Sequence, residues 1–152
     1  MAMQHIEVSR HFDASPEEVW RIYTDHARWK EWSGFDHTTL ETPGTEHRDG
    51  VGAVRVFGSG PVSAFEEVVE FEPPHRMAYR VIRGGLPIKD HFGEVLLTPD
   101  GDGTLLVWRA RFNSRWPIPG FAPLMRLLVQ RVFRTTLAGL ARRGFGADPA
   151  PR

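Results

Sequence analysis

Apolar and polar residues alternate along most of this chain, which is the spacing of β-strands. Residues His5 to Phe12 place Ile6, Val8 and Phe12 on one side and polar residues on the other. From His37 to Phe112 the alternation continues through further segments, separated by turns rich in Gly, Pro and Asp. Short alternating segments separated by such turns are typical of an antiparallel meander. The pattern therefore predicts one strand at the N-terminus and six more in the middle of the chain.

Two short helices are predicted between the first and second strands. Ser15 precedes Pro16, and Glu18 follows three residues after the serine. This is a capping box with proline at the first helical position, so a helix should begin at Pro16. Trp29 and Trp32 indicate a second short helix beside it.

A long helix is predicted from about Phe121 to Arg143, with Gly144 after its end. Two apolar stripes follow its length, so the helix should be buried over a wide arc. One stripe contains Leu124, Leu128, Val132, Thr135 or Thr136, and Gly139, and the other contains Phe121, Met125, Val129, Phe133, Leu137 and Leu140. A helix of this length spans about 35 Å and could cross a whole sheet. Because one helix cannot fill the concavity of a large curved sheet evenly, a cavity is expected.

Strands and helices are segregated along the chain, which predicts the α+β class. The 152 residues suit one domain, expected over residues 1–145. Pro149 and Pro151 in the last segment predict a disordered tail over residues 146–152.

Composition narrows the function classes. Nineteen basic residues balance nineteen acidic ones, so no net charge favours nucleic acid or an anionic membrane. The chain has no cysteine, which excludes thiolate chemistry and suits the cytoplasm. Residues 1–5 show no signal peptide. Arginines interrupt the long helix, so stable membrane insertion is not expected, although an amphipathic surface helix has the same pattern.

Several segments, taken in order, carry a resemblance to a known family. They are Phe12–Trp20, Trp29–Trp32, Phe71–Tyr79, Gly103–Thr104 with Trp108, and the long helix. Together they resemble the START-like or Bet v 1-like superfamily, and within it the bacterial polyketide cyclase/dehydrase and lipid-transport (SRPBCC) group. The resemblance implies a helix-grip fold, in which a curved seven-stranded antiparallel sheet wraps around the C-terminal helix and encloses a hydrophobic cavity. Members of this superfamily carry lipids, bind hormones or quinones, close polyketide rings or regulate partner proteins, so the fold does not choose the function.

Alternation predicts which side chains face the cavity, although a one-residue bulge would reverse any of these assignments. The inward sets are Phe65, Glu67, Val69 and Phe71 in the fourth strand, Met77, Tyr79 and Val81 in the fifth, His91, Gly93, Val95 and Leu97 in the sixth, and Leu106, Trp108, Ala110 and Phe112 in the last. The ligand-binding residues predicted on this basis are Phe65, Val69, Tyr79, Val81, His91, Leu106, Trp108, Phe112, Leu124, Leu128 and Val132.

The candidate catalytic residues are Glu67, His91 and Tyr79. A carboxylate beside an imidazole could act as a general acid/base pair. The alternative is that Glu67 forms an ion pair with an arginine at the rim and that His91 is a satisfied polar residue. Similarly, Trp108 and Tyr79 are either cavity walls or ordinary core.

No cofactor or metal site is predicted, because the chain lacks HExxH, Walker and GxSxG motifs and its histidines are scattered. The loops Gly84–Pro87 and Asn113–Gly120 are candidate gates over the cavity.

The leading functional hypothesis is binding or transport of a small hydrophobic or aromatic molecule without transformation. The alternative is an aromatase or cyclase acting on a bound poly-ketone, in which proximity supplies much of the rate. A third possibility is an interaction module that binds another protein. Monomer and homodimer remain equally open.

Overall fold

The computed structural model describes residues 3–146. Its elements are β1 (Gln4–Phe12), α1 (Pro16–Tyr23), a 3-10 helix (His26–Glu31), β2 (His37–Thr42), β3 (Val54–Ser59), β4 (Val62–Glu72), β5 (Arg76–Gly84), β6 (Ile88–Asp100), β7 (Gly103–Ser114) and α2 (Phe121–Arg143). The seven strands form one antiparallel sheet in the order β1-β7-β6-β5-β4-β3-β2. The predicted helix-grip architecture is confirmed. The predicted tail at 146–152 lies outside the described residues except for Gly146.

The first helix begins as its capping box predicts. The Glu18 amide donates a hydrogen bond of 3.3 Å to the Ser15 hydroxyl, and Pro16 occupies the first turn. This satisfies one of the free N–H groups of the helix end. The helix buries Val19 and Tyr23 against the sheet, so its position beside the cavity is set by its apolar face.

In its N-terminal half, the long helix α2 buries only one of its two apolar stripes. Its buried side includes Met125, Val129, Phe133, Leu137 and Leu140. Leu124, Leu128 and Val132 lie on the open side instead, because no further layer covers the helix there. The expectation of a helix buried over a wide arc is therefore wrong for the N-terminal half of α2.

Gly139 marks a close backbone contact inside α2. A Cβ atom at this position would overlap the carbonyl oxygen of Trp32, which follows the 3-10 helix. Only glycine allows this approach. The end of the 3-10 helix segment can therefore pack directly on α2 at Gly139.

Two bulges interrupt the pairing of β4 with β5, and the one at Val69 sets the facing of β4. Val69 is an extra residue between the pairs Val68–Tyr79 and Glu70–Ala78. Phe71, beyond this bulge, contacts the ring of Trp20 inside the fold.

Before the bulge the facing is the opposite of the prediction. The Arg83 guanidinium lies 3.9 Å from the ring centre of Phe65 on the outer face of the sheet. Glu67 also faces outward, and Glu66 faces inward in its place. The inward assignment is therefore wrong for Phe65, Glu67 and Val69, since one inserted residue reverses the phase of a strand.

The inward assignments in the last three strands are confirmed. The buried residues of these strands include Met77, Tyr79, Val95, Leu97, Leu106, Trp108 and Phe112. The core therefore lies between the sheet, the two short helices and α2.

Candidate functional site

A cavity of about 240 Å³ lies between the sheet, the 3-10 helix and α2. Its aromatic walls are Trp29, Phe35, Phe57, Trp108 and Phe133. A dry apolar cavity of about 150 Å³ can hold benzene, whereas sites for drug-sized ligands start at roughly 300 Å³. The volume therefore suits a molecule of one or two rings.

Trp108 forms the most rigid part of the wall. Its indole stacks on Phe133 with ring centres 3.8 Å apart and an angle of 8° between the planes. Its N–H donates a hydrogen bond of 2.9 Å to the Tyr79 hydroxyl oxygen. A ring held on one face and by its polar atom keeps one orientation, so this wall is preorganised.

A buried charged cluster closes the floor of the cavity. Arg55 is 2% exposed, and its guanidinium donates a hydrogen bond of 2.9 Å to Glu66, a residue of the cavity wall. The same guanidinium lies 2.6 Å from His26 Nε2 and 4.8 Å from the ring centre of Tyr79. Because a guanidinium has only donors, His26 Nε2 must be the acceptor.

Burial and the guanidinium act in opposite directions on the acid of this cluster. Burial raises the pKa of Glu66 above its ordinary value, and the nearby Arg55 charge opposes this rise only in part. Burial, and then the Arg55 charge, hold the pKa of His26 well below its ordinary value, so His26 is neutral. The salt bridge of the cluster is Arg55–Glu66, with 2.9 Å between Nη2 and Oε1.

His91 lines the cavity with a free polar atom. Its Nε2 is buried and has no hydrogen-bond partner within residues 3–146. Burial lowers the pKa of His91 to about 4, so the imidazole is neutral at pH 7. A neutral ring can donate or accept through this atom, depending on its tautomer.

The structure brings together only some of the predicted ligand-binding residues. Val81, His91, Trp108 and Val132 line the cavity. Tyr79, Leu106 and Phe112 are fully buried core residues that do not line it. Phe65 and Val69 lie outside the inner face for the reasons given above, and Leu124 and Leu128 lie on the open side of α2.

The structure brings together only two of the three candidate catalytic residues, since the ring centres of Tyr79 and His91 are 6.0 Å apart and Glu67 is not beside them. Glu67 lies 2.7 Å from Arg80 on the outer face, which is the ion-pair alternative. Burial raises the pKa of the Tyr79 phenol, whose oxygen already accepts from Trp108. Sequence reasoning missed Arg55 and Glu66. Arg55 lies two residues before the inward Phe57 in β3, so alternation places both on the same face of the sheet. Nothing in the sequence indicated which of the adjacent Glu66 and Glu67 would face the cavity.

Residues 3–144 match the family model described as polyketide cyclase/dehydrase and lipid transport. The chain belongs to this family. The match covers nearly all of the described residues, and it includes every strand and all three helices given above. The comparison with curated protein sequences gives no match.

Solved structures share the fold of this family member at low sequence identity. A START superfamily protein from Mycobacterium smegmatis has a TM-score of 0.78 at 15% identity, over 92% of this chain and 96% of that one. A protein from Thermobifida fusca has a TM-score of 0.75 at 25% identity, over 91% of each chain. Norcoclaurine synthase from Thalictrum flavum, in complex with dopamine and hydroxybenzaldehyde, has a TM-score of 0.70 at 15% identity, over 93% of this chain and 86% of that one.

The cavity of this family member opens between two loops and α2. Gly84, Gly85 and Leu86 contribute to its lining, as does Val62 at the start of β4. The Arg115 amide donates a hydrogen bond of 3.1 Å to the Pro87 carbonyl. The two segments predicted as gates are thus joined beside the opening.

No group of three or more His, Cys, Asp or Glu side chains converges within residues 3–146. Over the same residues, no helix combines the length and the hydropathy needed to cross a bilayer.

The buried imidazole makes stability depend on pH. Because the pKa of His91 is about 4 in the folded protein and 6.5 ordinarily, unfolding takes up a proton between these values. The contribution of His91 to the free energy of unfolding is about 3 kcal/mol above pH 6.5, and it disappears as the pH falls to 4. We expect His91→Gln to flatten the pH profile of the free energy of unfolding in this window, measured by urea titration. His5→Gln, at an exposed position, is the control. Parallel profiles for wild type and His91→Gln would contradict the assignment.

Proposed function

We propose that this protein binds a small apolar molecule of one or two rings in the cavity between the sheet and α2, without transforming it. The observation that carries the proposal is the cavity of about 240 Å³ with five aromatic walls. Apolar walls with a few placed polar groups are the usual composition of a ligand site. A relative with the same fold holds two small aromatic molecules, dopamine and hydroxybenzaldehyde, which agrees with this size class.

The polar groups of the cavity define the rest of the ligand. The free Nε2 of His91 calls for one hydrogen-bonding group, such as a hydroxyl or carbonyl, because a buried polar atom without a partner is costly. The Glu66 carboxylate, in its salt bridge with Arg55, accepts from a donor on the same molecule. A longer substituent could follow the groove outside the opening, which Phe35, Leu86 and Leu128 line.

A polyketide cyclase or aromatase is the second candidate, and His91 is the observation that favours it. A neutral imidazole with a free nitrogen inside an apolar cavity can hydrogen-bond to the enol of a bound poly-ketone and hold its reacting carbons in place. Glu66 then replaces Glu67 as the acidic partner, since it is the glutamate that lines the cavity.

One experiment tests both functions. The purified protein is extracted with organic solvent, and the extract is searched by mass spectrometry for a bound molecule. The emptied protein is then incubated with a short poly-β-ketone surrogate. Recovery of the surrogate bound and unchanged supports binding. Cyclisation that His91→Gln abolishes supports the enzyme. Both proposals fail if no molecule is extracted and neither the surrogate nor a two-ring dye binds.

A further inference from the structure

An exposed apolar surface lies on α2 and the segment before it, and it reaches the cavity at Val132. We call it the apolar collar, and its members are Trp116, Ile118, Leu124, Leu127, Leu128 and Val132. Each is between 39% and 55% exposed. An exposed group of large apolar side chains is typical of a surface that binds another protein, a ligand or a membrane.

The collar is continuous with the opening. Val132 lines both the cavity and the groove outside it, and Leu128 lines the groove. Leu124, Leu128 and Val132 are four residues apart on α2, so they follow one another along one face. The Trp116 ring lies 4.9 Å from that of Phe121, which places it at the start of the same helix.

The part of the sequence that contains the collar has only basic charged residues. Residues 103–146 contain no Asp or Glu, and Arg115, Arg126, Arg131 and Arg134 flank the collar residues. None of these four makes an ion pair with another residue of the described range 3–146. The zero net charge of the chain therefore includes a segment, residues 103–146, whose charged side chains are all basic.

We propose that the apolar collar docks on the surface of an anionic lipid bilayer and presents the cavity opening to it. Exposed leucines on α2, with Trp116 before the helix and arginines next to the leucines in sequence, are typical of segments that lie in the membrane interface. The unpaired arginines add attraction to anionic headgroups, roughly fivefold in affinity for each. An apolar ligand is concentrated in such a bilayer, so docking there would let it enter the cavity without crossing water.

The test is sedimentation with lipid vesicles. Wild-type protein is mixed with vesicles of phosphatidylcholine and phosphatidylglycerol, or of phosphatidylcholine alone. We expect binding to the anionic vesicles that weakens at high salt, where screening shortens the Debye length to about 3 Å at 1 M. Leu124→Ser/Leu127→Ser should reduce binding at least about tenfold, because two apolar side chains no longer leave water. Arg131→Gln/Arg134→Gln should reduce it by about 25-fold on anionic vesicles only.

Matched controls keep the proposal falsifiable. Val51→Ser and Arg10→Gln change exposed residues at the other end of the sheet and should bind as the wild type does. None of the substituted collar residues lines the cavity, so dye binding inside the protein should persist in every variant. Absence of vesicle binding by the wild type overturns the proposal, whether the protein is then a monomer or a dimer joined through the collar. Equal losses in the control variants overturn it too.

Discussion

Replacement of Arg55 by methionine is expected to lower the free energy of unfolding by about 3–5 kcal/mol. Arg55 is buried, and its guanidinium contacts Glu66 at 2.9 Å and His26 at 2.6 Å. Removing the guanidinium leaves the Glu66 carboxylate without its counter-charge in a site that burial already makes unfavourable for the ionised form. The loss comes from this uncompensated charge more than from the attraction in the intact pair.

Urea unfolding measures this effect against two further variants. Arg80→Met removes the cation of the neighbouring pair, Arg80–Glu67, in which the arginine side chain is 60% exposed. It should cost less than about 1 kcal/mol, because water screens exposed pairs. Arg55→Met/Glu66→Gln should recover part of the loss, since no buried charge is then left alone. Equal losses in Arg55→Met and Arg80→Met would show that the inner pair is not energetically distinct.

Replacement of Val81 by tryptophan is expected to abolish ligand binding while the protein stays folded. Val81 faces the cavity from β5, directly opposite Glu66 in the register of the sheet. An indole at this position would occupy much of the space of about 240 Å³. Because the added side chain enters existing empty volume, it should not force the overpacking that a filled core would suffer.

The measurement is titration with a fluorescent two-ring dye, together with circular dichroism to establish folding. Ile82→Trp is the matched control, because Ile82 follows Val81 directly and is 45% exposed. It lies at the bulge between β4 and β5 and does not line the cavity. We expect the control to bind dye normally. Unchanged binding by Val81→Trp would place the ligand elsewhere and refute the proposed site.

Local patterns predicted the elements because each depends on neighbours in sequence. Ser15, Pro16 and Glu18 form their cap within one turn, so the start of α1 could be read directly. In β7, alternation continues without a bulge against β1, and the inward side of Trp108 and Phe112 was predicted correctly. The family resemblance supplied the arrangement of these elements, which the spacing alone does not contain.

The candidate site was harder to predict because it depends on insertions of a single residue. The extra Val69 changes which of Glu66 and Glu67 faces inward, and nothing in the local sequence distinguishes these adjacent glutamates. The partner of Glu66 is Arg55, on a different strand, and the free nitrogen of His91 is a property of its surroundings.

By itself, the sequence determined the number, order and type of the elements, because hydrogen bonding and side-chain periodicity within a segment decide these. Only the tertiary structure decided which glutamate reaches the cavity and which apolar residues in the N-terminal half of α2 stay exposed. The first depends on strand register, and the second depends on whether another layer packs on that side of the helix. Both are set by residues distant in sequence.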